Sequence, residues 1–226
     1  MPCDFRAKDC PRRLDAAILD LDGTLVDTLG DFVAVLDLTL ADLGLPRVQR
    51  RFVERSIGKG SDHLIRSTLA QVGADPSLRD AAWAAYQRHY AGINGRHASV
   101  FPGVPEGLTR LRAQGLRLAC LTNKPGVFAA ELLRRTGLAG HFERVFGGDA
   151  FARQKPDPLP LVETCKALGT VPAHTLMIGD SSNDAQAARA AGCPVVLVSY
   201  GYNHGEPIAA VDADAHIDRL DGLPLG

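Results

Sequence analysis

Residues 16–24 read Ala16-Ala17-Ile18-Leu19-Asp20-Leu21-Asp22-Gly23-Thr24. The run from 16 to 21 is apolar at consecutive rather than alternate positions, and it leads directly to a glycine. That pattern predicts a strand covered on both faces, as in a parallel sheet. Asp20 is the one interruption. A carboxylate inside such a run must be paired or ligated, because burying an unpartnered charge is strongly unfavourable.

Working outward, similar apolar runs recur at 116–121, 175–178 and 194–198, each beside a helix-like segment. The alternation predicts an α/β doubly wound parallel-sheet core of Rossmann-like type. The helix after Pro105 carries Leu108 and Leu111 and stops near Gly115. The helix after Val127 carries Leu132 and Leu133 and stops near Gly137. A third, over 182–191, sets Ala185, Ala188 and Ala191 in step, with Gly192 just beyond its end.

Between 27 and 97 the strand rhythm disappears. Thr28 and Asp31 resemble a capping pair, followed by a stripe of Leu29, Phe32, Val33, Leu36, Leu40 and Leu43, with Gly44 and Pro46 as a stop. A second helix is predicted after Ser61, and a third from Asp75-Pro76-Ser77 to about Tyr90. The division expected is a catalytic core of residues 1–26 and 98–226, interrupted by a small all-helical cap of residues 27–97 over the carboxyl end of the first strand. Segments near Asp27 and His97 would serve as hinges.

The chain has 226 residues, with 25 Lys and Arg against 26 Asp and Glu, for a net charge of -1. Bulk charge therefore offers no surface for a polyanion, and nucleic acid is excluded as an expected partner. No apolar run approaches the roughly 18 residues needed to span a bilayer, and no signal-like stretch follows the polar start over 1–13. No membrane association is expected, and a soluble cytoplasmic protein is. The cysteines, Cys3, Cys10, Cys120, Cys165 and Cys193, are odd in number and scattered, which reads as reduced structural thiols. The histidines include no pair at i, i+4, which argues against a helix-borne zinc site.

Open α/β sheets bind ligands beyond the carboxyl ends of their strands. There the sequence places Asp20, Asp22, Gly23 and Thr24 after one run, Thr122, Asn123 and Lys124 after another, and Asp180 to Asp184 after a third, with Lys155 in a separate loop. Two carboxylates about 4 Å apart repel by ~4 kcal/mol at an effective dielectric near 20, so grouping Asp20, Asp22, Asp180 and Asp184 calls for a cation. Oxygen donors without histidine or cysteine point to magnesium (Mg2+), which accepts a phosphate oxygen, and so to a phosphate ester substrate. Asp184 also falls in the first turn of a helix, where an acid is favourable through the dipole alone. Ser181 or Ser182 reads as the N-cap of that helix.

These motifs, in this order over residues 14 to about 220, resemble the haloacid dehalogenase (HAD) superfamily of phosphatases. Asp20-Leu21-Asp22-Gly23-Thr24 matches the first motif, Thr122 the second, Lys155 the third, and Gly179-Asp180 with Asp184 the fourth. The resemblance implies that Asp20 attacks phosphorus and forms an aspartyl phosphate that water hydrolyses. It also implies that magnesium is held by Asp20, the backbone carbonyl of Asp22, Asp180 and Asp184. The chemistry of the residues agrees. Asp20 is ionised at neutral pH and needs no activating base, and Asp22 stands two residues on as acid and base. Thr122 can donate to a phosphoryl oxygen, and Lys155 sets a positive charge against the transferring group.

The presence of Asp22 separates the chain from dehalogenases and phosphonate hydrolases of that superfamily. Pro102-Gly103-Val104, Thr122-Asn123-Lys124-Pro125, Lys155-Pro156-Asp157-Pro158 and residues 200–207 further resemble its phosphoglycolate phosphatase branch. That implies a small phosphate monoester carrying a carboxylate, with Gly23, Thr24 and Asn123 near the substrate and Lys59, in the cap loop Gly58-Lys59-Gly60, meeting the carboxylate. A monomer or homodimer is expected. The alternatives are a sibling phosphatase for nucleotides, pyrophosphate or sugar phosphates, and a non-catalytic module that binds a phosphorylated metabolite.

Overall fold

The computed structural model describes residues 14–224. Cys3, Cys10 and the start of the predicted core segment 1–26 lie outside the described residues. In chain order the elements are β1 (Ala16–Leu19), β2 (Val26–Asp27), α1 (Leu29–Asp42), α2 (Arg50–Ser56), α3 (Ser61–Gln71), α4 (Arg79–Ile93), β3 (Ser99–Val100), α5 (Val104–Ala113), β4 (Arg117–Leu121), α6 (Gly126–Arg135), β5 (Arg144–Phe146), α7 (Leu159–Ala167), β6 (Thr175–Gly179), α8 (Ser182–Ala191), β7 (Val195–Val198) and β8 (Ala215–Ile217).

Six strands form one parallel sheet in the order β5-β4-β1-β6-β7-β8. The continuous apolar runs have a direct cause here. Alternate residues of β1 enter different cores: Ala17 and Leu19 pack with Leu108 of α5 and Leu132 of α6, whereas Ala16 and Ile18 pack with Leu161 of α7 and Ala188 of α8. Both faces are covered, so no position is left for a polar residue. The small alanine face of α8 brings that helix close to the sheet, and Gly192, at φ +81°, ends it by donating to Ala188 O and Arg189 O.

Register sets the site. Leu19 pairs with Cys120 on one side and Ile178 on the other, so β1, β4 and β6 end within one residue of one another and deliver Asp20, Thr122 and Asp180 to one edge.

The helices α1 to α4 pack around Phe32, Leu36, Leu64, Tyr86 and Tyr90, and Phe128 of α6 and Tyr202 join this cluster from the sheet side. Where the chain leaves for these helices and returns from them, β2 and β3 pair antiparallel through Val26 with Val100 and Asp27 with Ser99. The helix α2 falls outside the expected series, since Arg50-Arg51-Phe52-Val53-Glu54-Arg55-Ser56 is too charged and short to show a stripe.

One local expectation is corrected. Thr28 does stand at the N-cap of α1, but its side chain makes no capping bond and its hydroxyl is without a partner. Asp31, fully buried, turns instead to the returning chain and accepts from Gly95 N at 2.6 Å and His97 N at 2.7 Å. The described cysteines Cys120, Cys165 and Cys193 are free and buried. No described helix is long and apolar enough to cross a membrane.

Candidate active site

The turn after β1 is tight. Gly23 N donates to Val26 O, and Gly23 sits at φ +89°, where a side chain would be strained. A Cβ there would also overlap Asp180 Oδ2. A bare glycine thus lets the Asp20 turn and the Asp180 loop approach each other.

Asp20, Asp180 and Asp184 each offer a carboxylate oxygen, and these oxygens lie within 4.8 Å of one another, all buried. Lys155 Nζ stands 2.9 Å from Asp20 Oδ1 and 2.6 Å from Asp184 Oδ1, and it donates to Leu121 O at 3.0 Å. The Lys155–Pro156 peptide is cis. Burial alone would lower the Lys155 pKa, but the charges of Asp184 and Asp20 outweigh it and raise it. Burial pushes Asp20 up to about 6, Lys155 opposing it and Asp184 adding to it. Asp180 is raised well above the usual carboxylate range by burial and by the charges of Asp184 and Asp20.

One lysine does not neutralise three grouped acids. Asp20 Oδ1, though near Lys155, has no partner in hydrogen-bond geometry. An orphaned buried oxygen beside two more carboxylates fits a hard divalent cation with oxygen ligands, and the donor set suits magnesium. The Asp22 carboxylate stands outside this set and pairs with Lys124.

Asp184 serves two purposes with its two oxygens. Oδ1 faces Lys155, while Oδ2 accepts from the hydroxyl of Ser181, the N-cap of α8, at 2.8 Å, and from the amides of Ser181 and Asp180 at 3.2 and 3.3 Å. One oxygen of Asp184 thus serves the helix end while the other faces Lys155 beside Asp20.

The Thr24 hydroxyl donates to Asp180 Oδ1 at 3.2 Å. Thr122 Oγ1 accepts from Lys124 N at 3.2 Å, and Thr122 lines the same cleft as Asp20. Asn123 spends both amide hydrogens on Gly58 O at 3.0 Å and Lys155 O at 2.8 Å, and its Oδ1 accepts from Lys155 N at 3.1 Å. It thereby ties the Lys155 loop to the Gly58 loop. Lys59 is exposed and lines an outer cavity of about 410 Å³ that shares Gly60, Ser61 and Asn123 with the cleft that holds Asp20, while Gly58 lines that cleft alone.

Several residues at the site carried no assigned role in the sequence. The string over 200–207 wraps it. Tyr202 N donates to Asp180 Oδ2 at 2.7 Å, and Asn203 Oδ1 accepts from Ser182 N at 2.9 Å. Asn183 Nδ2 reaches Gly58 O at 3.3 Å. Lys124 is buried with its ammonium 3.0 Å from Asp22 Oδ1. The signal for the tyrosine and asparagines was their place in the diagnostic string or at a strand end. Lys124 also stood at a strand end and in the string 122–125, but its ion pair had no signal, because its partners are remote in sequence.

A family model described as haloacid dehalogenase-like hydrolase matches residues 17–198. The chain is 44% identical over 216 residues to a phosphoglycolate phosphatase of Thiobacillus denitrificans, covering 94% of this chain and 95% of the relative. It is 48% identical over 211 residues to a plasmid-borne phosphoglycolate phosphatase of Cupriavidus necator, covering 92% and 91%. Among solved structures, one described as a predicted phosphoglycolate phosphatase from Haemophilus somnus superposes with a TM-score of 0.84 at 33% identity, over 92% of this chain and 95% of the other.

Proposed function

The chain belongs to the haloacid dehalogenase-like hydrolases, and from that premise we propose that it hydrolyses a small phosphate monoester, 2-phosphoglycolate foremost, through a phosphoryl group carried transiently by Asp20. That it is a phosphatase rests on the relatives and on the family. The finer reading rests on one observation: Asp20, at the adjacent ends of β1 and β4, faces the cleft with Lys155 2.9 Å behind it and Asp22 and Thr122 beside it.

In the proposed reaction the Asp20 carboxylate forms a bond to phosphorus as the bond from phosphorus to the ester oxygen breaks. Asp22 gives that leaving oxygen a proton, and glycolate departs. Water then attacks the phosphorus, Asp22 takes a proton from it, and phosphate leaves with Asp20 restored. Lys155 and the Thr122 hydroxyl hold the transferring oxygens in place and offset their charge, and in phosphoryl transfer such positioning supplies most of the catalysis. Asp20, Asp180, Asp184 and the Asp22 carbonyl would hold magnesium, which when bound offsets the grouped carboxylates and the phosphate charge.

We assign residues 27–97 as a cap on the core, with the β2 and β3 ribbon as its hinge. Closure would exclude water while the phosphoryl group is on Asp20. The protein is placed in the cytoplasm as a monomer or homodimer.

A substrate panel at fixed magnesium tests the reading. The expected result is a kcat/KM for 2-phosphoglycolate above those for nucleotides, pyrophosphate and sugar phosphates. A clear preference for any of those would overturn the choice of substrate, and no turnover of any monoester would overturn the enzymatic reading.

A further inference from the structure

We infer that Lys124 is the residue that recognises the carboxylate end of the substrate. The inference rests on the proposed hydrolysis of a carboxylate-bearing phosphate monoester and names the side chain that selects it.

The cleft holding Asp20 is lined on the sheet side by Asp22, Thr122, Asn123 and Lys124, and on the helical side by Phe32, Ser56, Ile57, Gly58, Gly60, Ser61 and Leu64. Lys124 is the one cation among these lining residues. The helical side offers apolar surface, glycine backbone and two hydroxyls. An anionic group that stays within this cleft, on the part of the substrate remote from phosphorus, therefore meets one cation, whereas Lys59 and Arg66 line the adjoining outer cavity. Lys59, on the same loop as Gly58 and Gly60, opens onto the outer cavity and is exposed.

The surroundings of the ammonium show what it is shaped to hold. Its side chain is 1% exposed, so it acts in a low-dielectric setting where an ion pair is far stronger than at the surface. Lys124 Nζ donates to the Asp22 carboxylate, 3.0 Å from Oδ1 and 3.3 Å from Oδ2, and to the Tyr90 hydroxyl. An ammonium carries three hydrogens. The three oxygens around it belong to two groups, and the two carboxylate oxygens of Asp22 lie close enough together to share one hydrogen, which leaves a third for a ligand oxygen. The rings of Phe32 and Tyr90 stand 4.6 and 4.8 Å from the nitrogen and support its charge without taking up that hydrogen as an oxygen would. The group is thus a fixed, desolvated cation with a carboxylate already against it and a donor to spare.

Phe32 lies on α1 and Tyr90 on α4, while Lys124 follows β4. Specificity then depends on the helical block being seated, since that block supplies the rings and hydroxyl that orient the ammonium. A phosphate ester with an alkyl end would leave the spare donor of Lys124 unpaired, and sites built around a buried donor discriminate strongly against such analogues.

The test compares 2-phosphoglycolate with ethyl phosphate, which replaces the carboxylate by a methyl group, in wild type, Lys124→Met and Lys124→Gln at fixed magnesium. The expected result is a wild-type preference for 2-phosphoglycolate in kcat/KM that falls by tenfold or more in both variants, mainly through KM. The Gln variant keeps hydrogen bonding to Asp22 and Tyr90 without the charge, so it remains informative where Met disturbs folding. Inhibition of the wild type by 3-phosphonopropionate and by propylphosphonate gives a measurement independent of turnover, and the former should bind at least tenfold more tightly. Equal losses on both substrates, with the preference kept, would overturn the role of Lys124 and leave the proposed function standing. A wild type that prefers ethyl phosphate would overturn both.

Discussion

Tyr202 holds Asp180 by its backbone amide at 2.7 Å while its own hydroxyl, at the other end of the side chain, grips the start of α1. The hydroxyl donates to Asp27 Oδ1 at 2.7 Å and accepts from Thr28 N at 2.8 Å and Leu29 N at 3.1 Å. One residue therefore spans from the carboxylate cluster to the strand that leads into the helices. Tyr202→Phe keeps the ring and the amide but leaves Asp27 and Thr28 N without this partner. The expected loss is about 1–3 kcal/mol, read as a lower urea midpoint at unchanged m-value. An unchanged midpoint would show that water replaces the phenol at no cost.

The return from α4 is held by Asp31. Its two oxygens are buried and accept from Gly95 N and His97 N, whose own residues are half-buried and exposed. Asp31→Asn sets an amide donor against one of these N–H groups, and Asp31→Ala removes both acceptors. Stability should fall in the order wild type, Asn, Ala, with the alanine variant losing about 1–3 kcal/mol for two part-buried donors left without their acceptor. Urea denaturation of the three proteins checks the order, and an alanine variant as stable as wild type would contradict the account of the buried contacts.

The grouped carboxylates give the metal-free protein a distinctive pH dependence. Burial raises Asp20 to about 6, against an ordinary value of 3.8, so between these values the folded chain binds more protons than the unfolded one. The contribution of this group to stability accordingly falls as pH rises from about 4 to 6, and Asp180, raised in the same direction, adds to the fall. Magnesium should raise Tm more at pH 7.5 than at pH 5, since the charges it offsets are then present. Asp20→Asn should reduce the slope between pH 4 and 6, and should also cut turnover by at least a thousandfold while the protein stays folded. Thermal melts across pH, with and without magnesium, decide the first point. Residual activity within tenfold of wild type would refute the second.

The central strands and their acids were legible because the information is local. Burial on both faces leaves a continuous apolar run, and the residue that breaks or follows such a run stands at the ligand-binding edge. The edge strands β5 and β8 were not legible. Each has three residues: β5 is partly exposed throughout, and β8, although it alternates buried Ala215 and Ile217 with exposed His216, is too short for the alternation to stand out. Lys124 escaped in part, for a different reason. Its place after a strand was legible, but its ion pair was not, because its ammonium meets Asp22, 102 positions away, and Tyr90, 34 away. Asp31 shows the converse failure. It sits at capping spacing from Thr28, yet the fold places two better donors, Gly95 N and His97 N, more than 60 residues downstream within its reach.

The short ribbon of β2 and β3 has a consequence for how such a protein can diversify. With Val26 against Val100 and Asp27 against Ser99, the two crossings between sheet and helices are stapled side by side, and the intervening chain is a loop whose ends already meet. Lengthening a closed loop is entropically cheap, about 0.6 kcal/mol for each doubling in a flexible chain. Insertions, deletions or a wholesale exchange of the helices would therefore leave the strand register, and with it the acids, untouched. On the proposed function, lineages could retune which molecule enters while inheriting the bond-breaking apparatus intact.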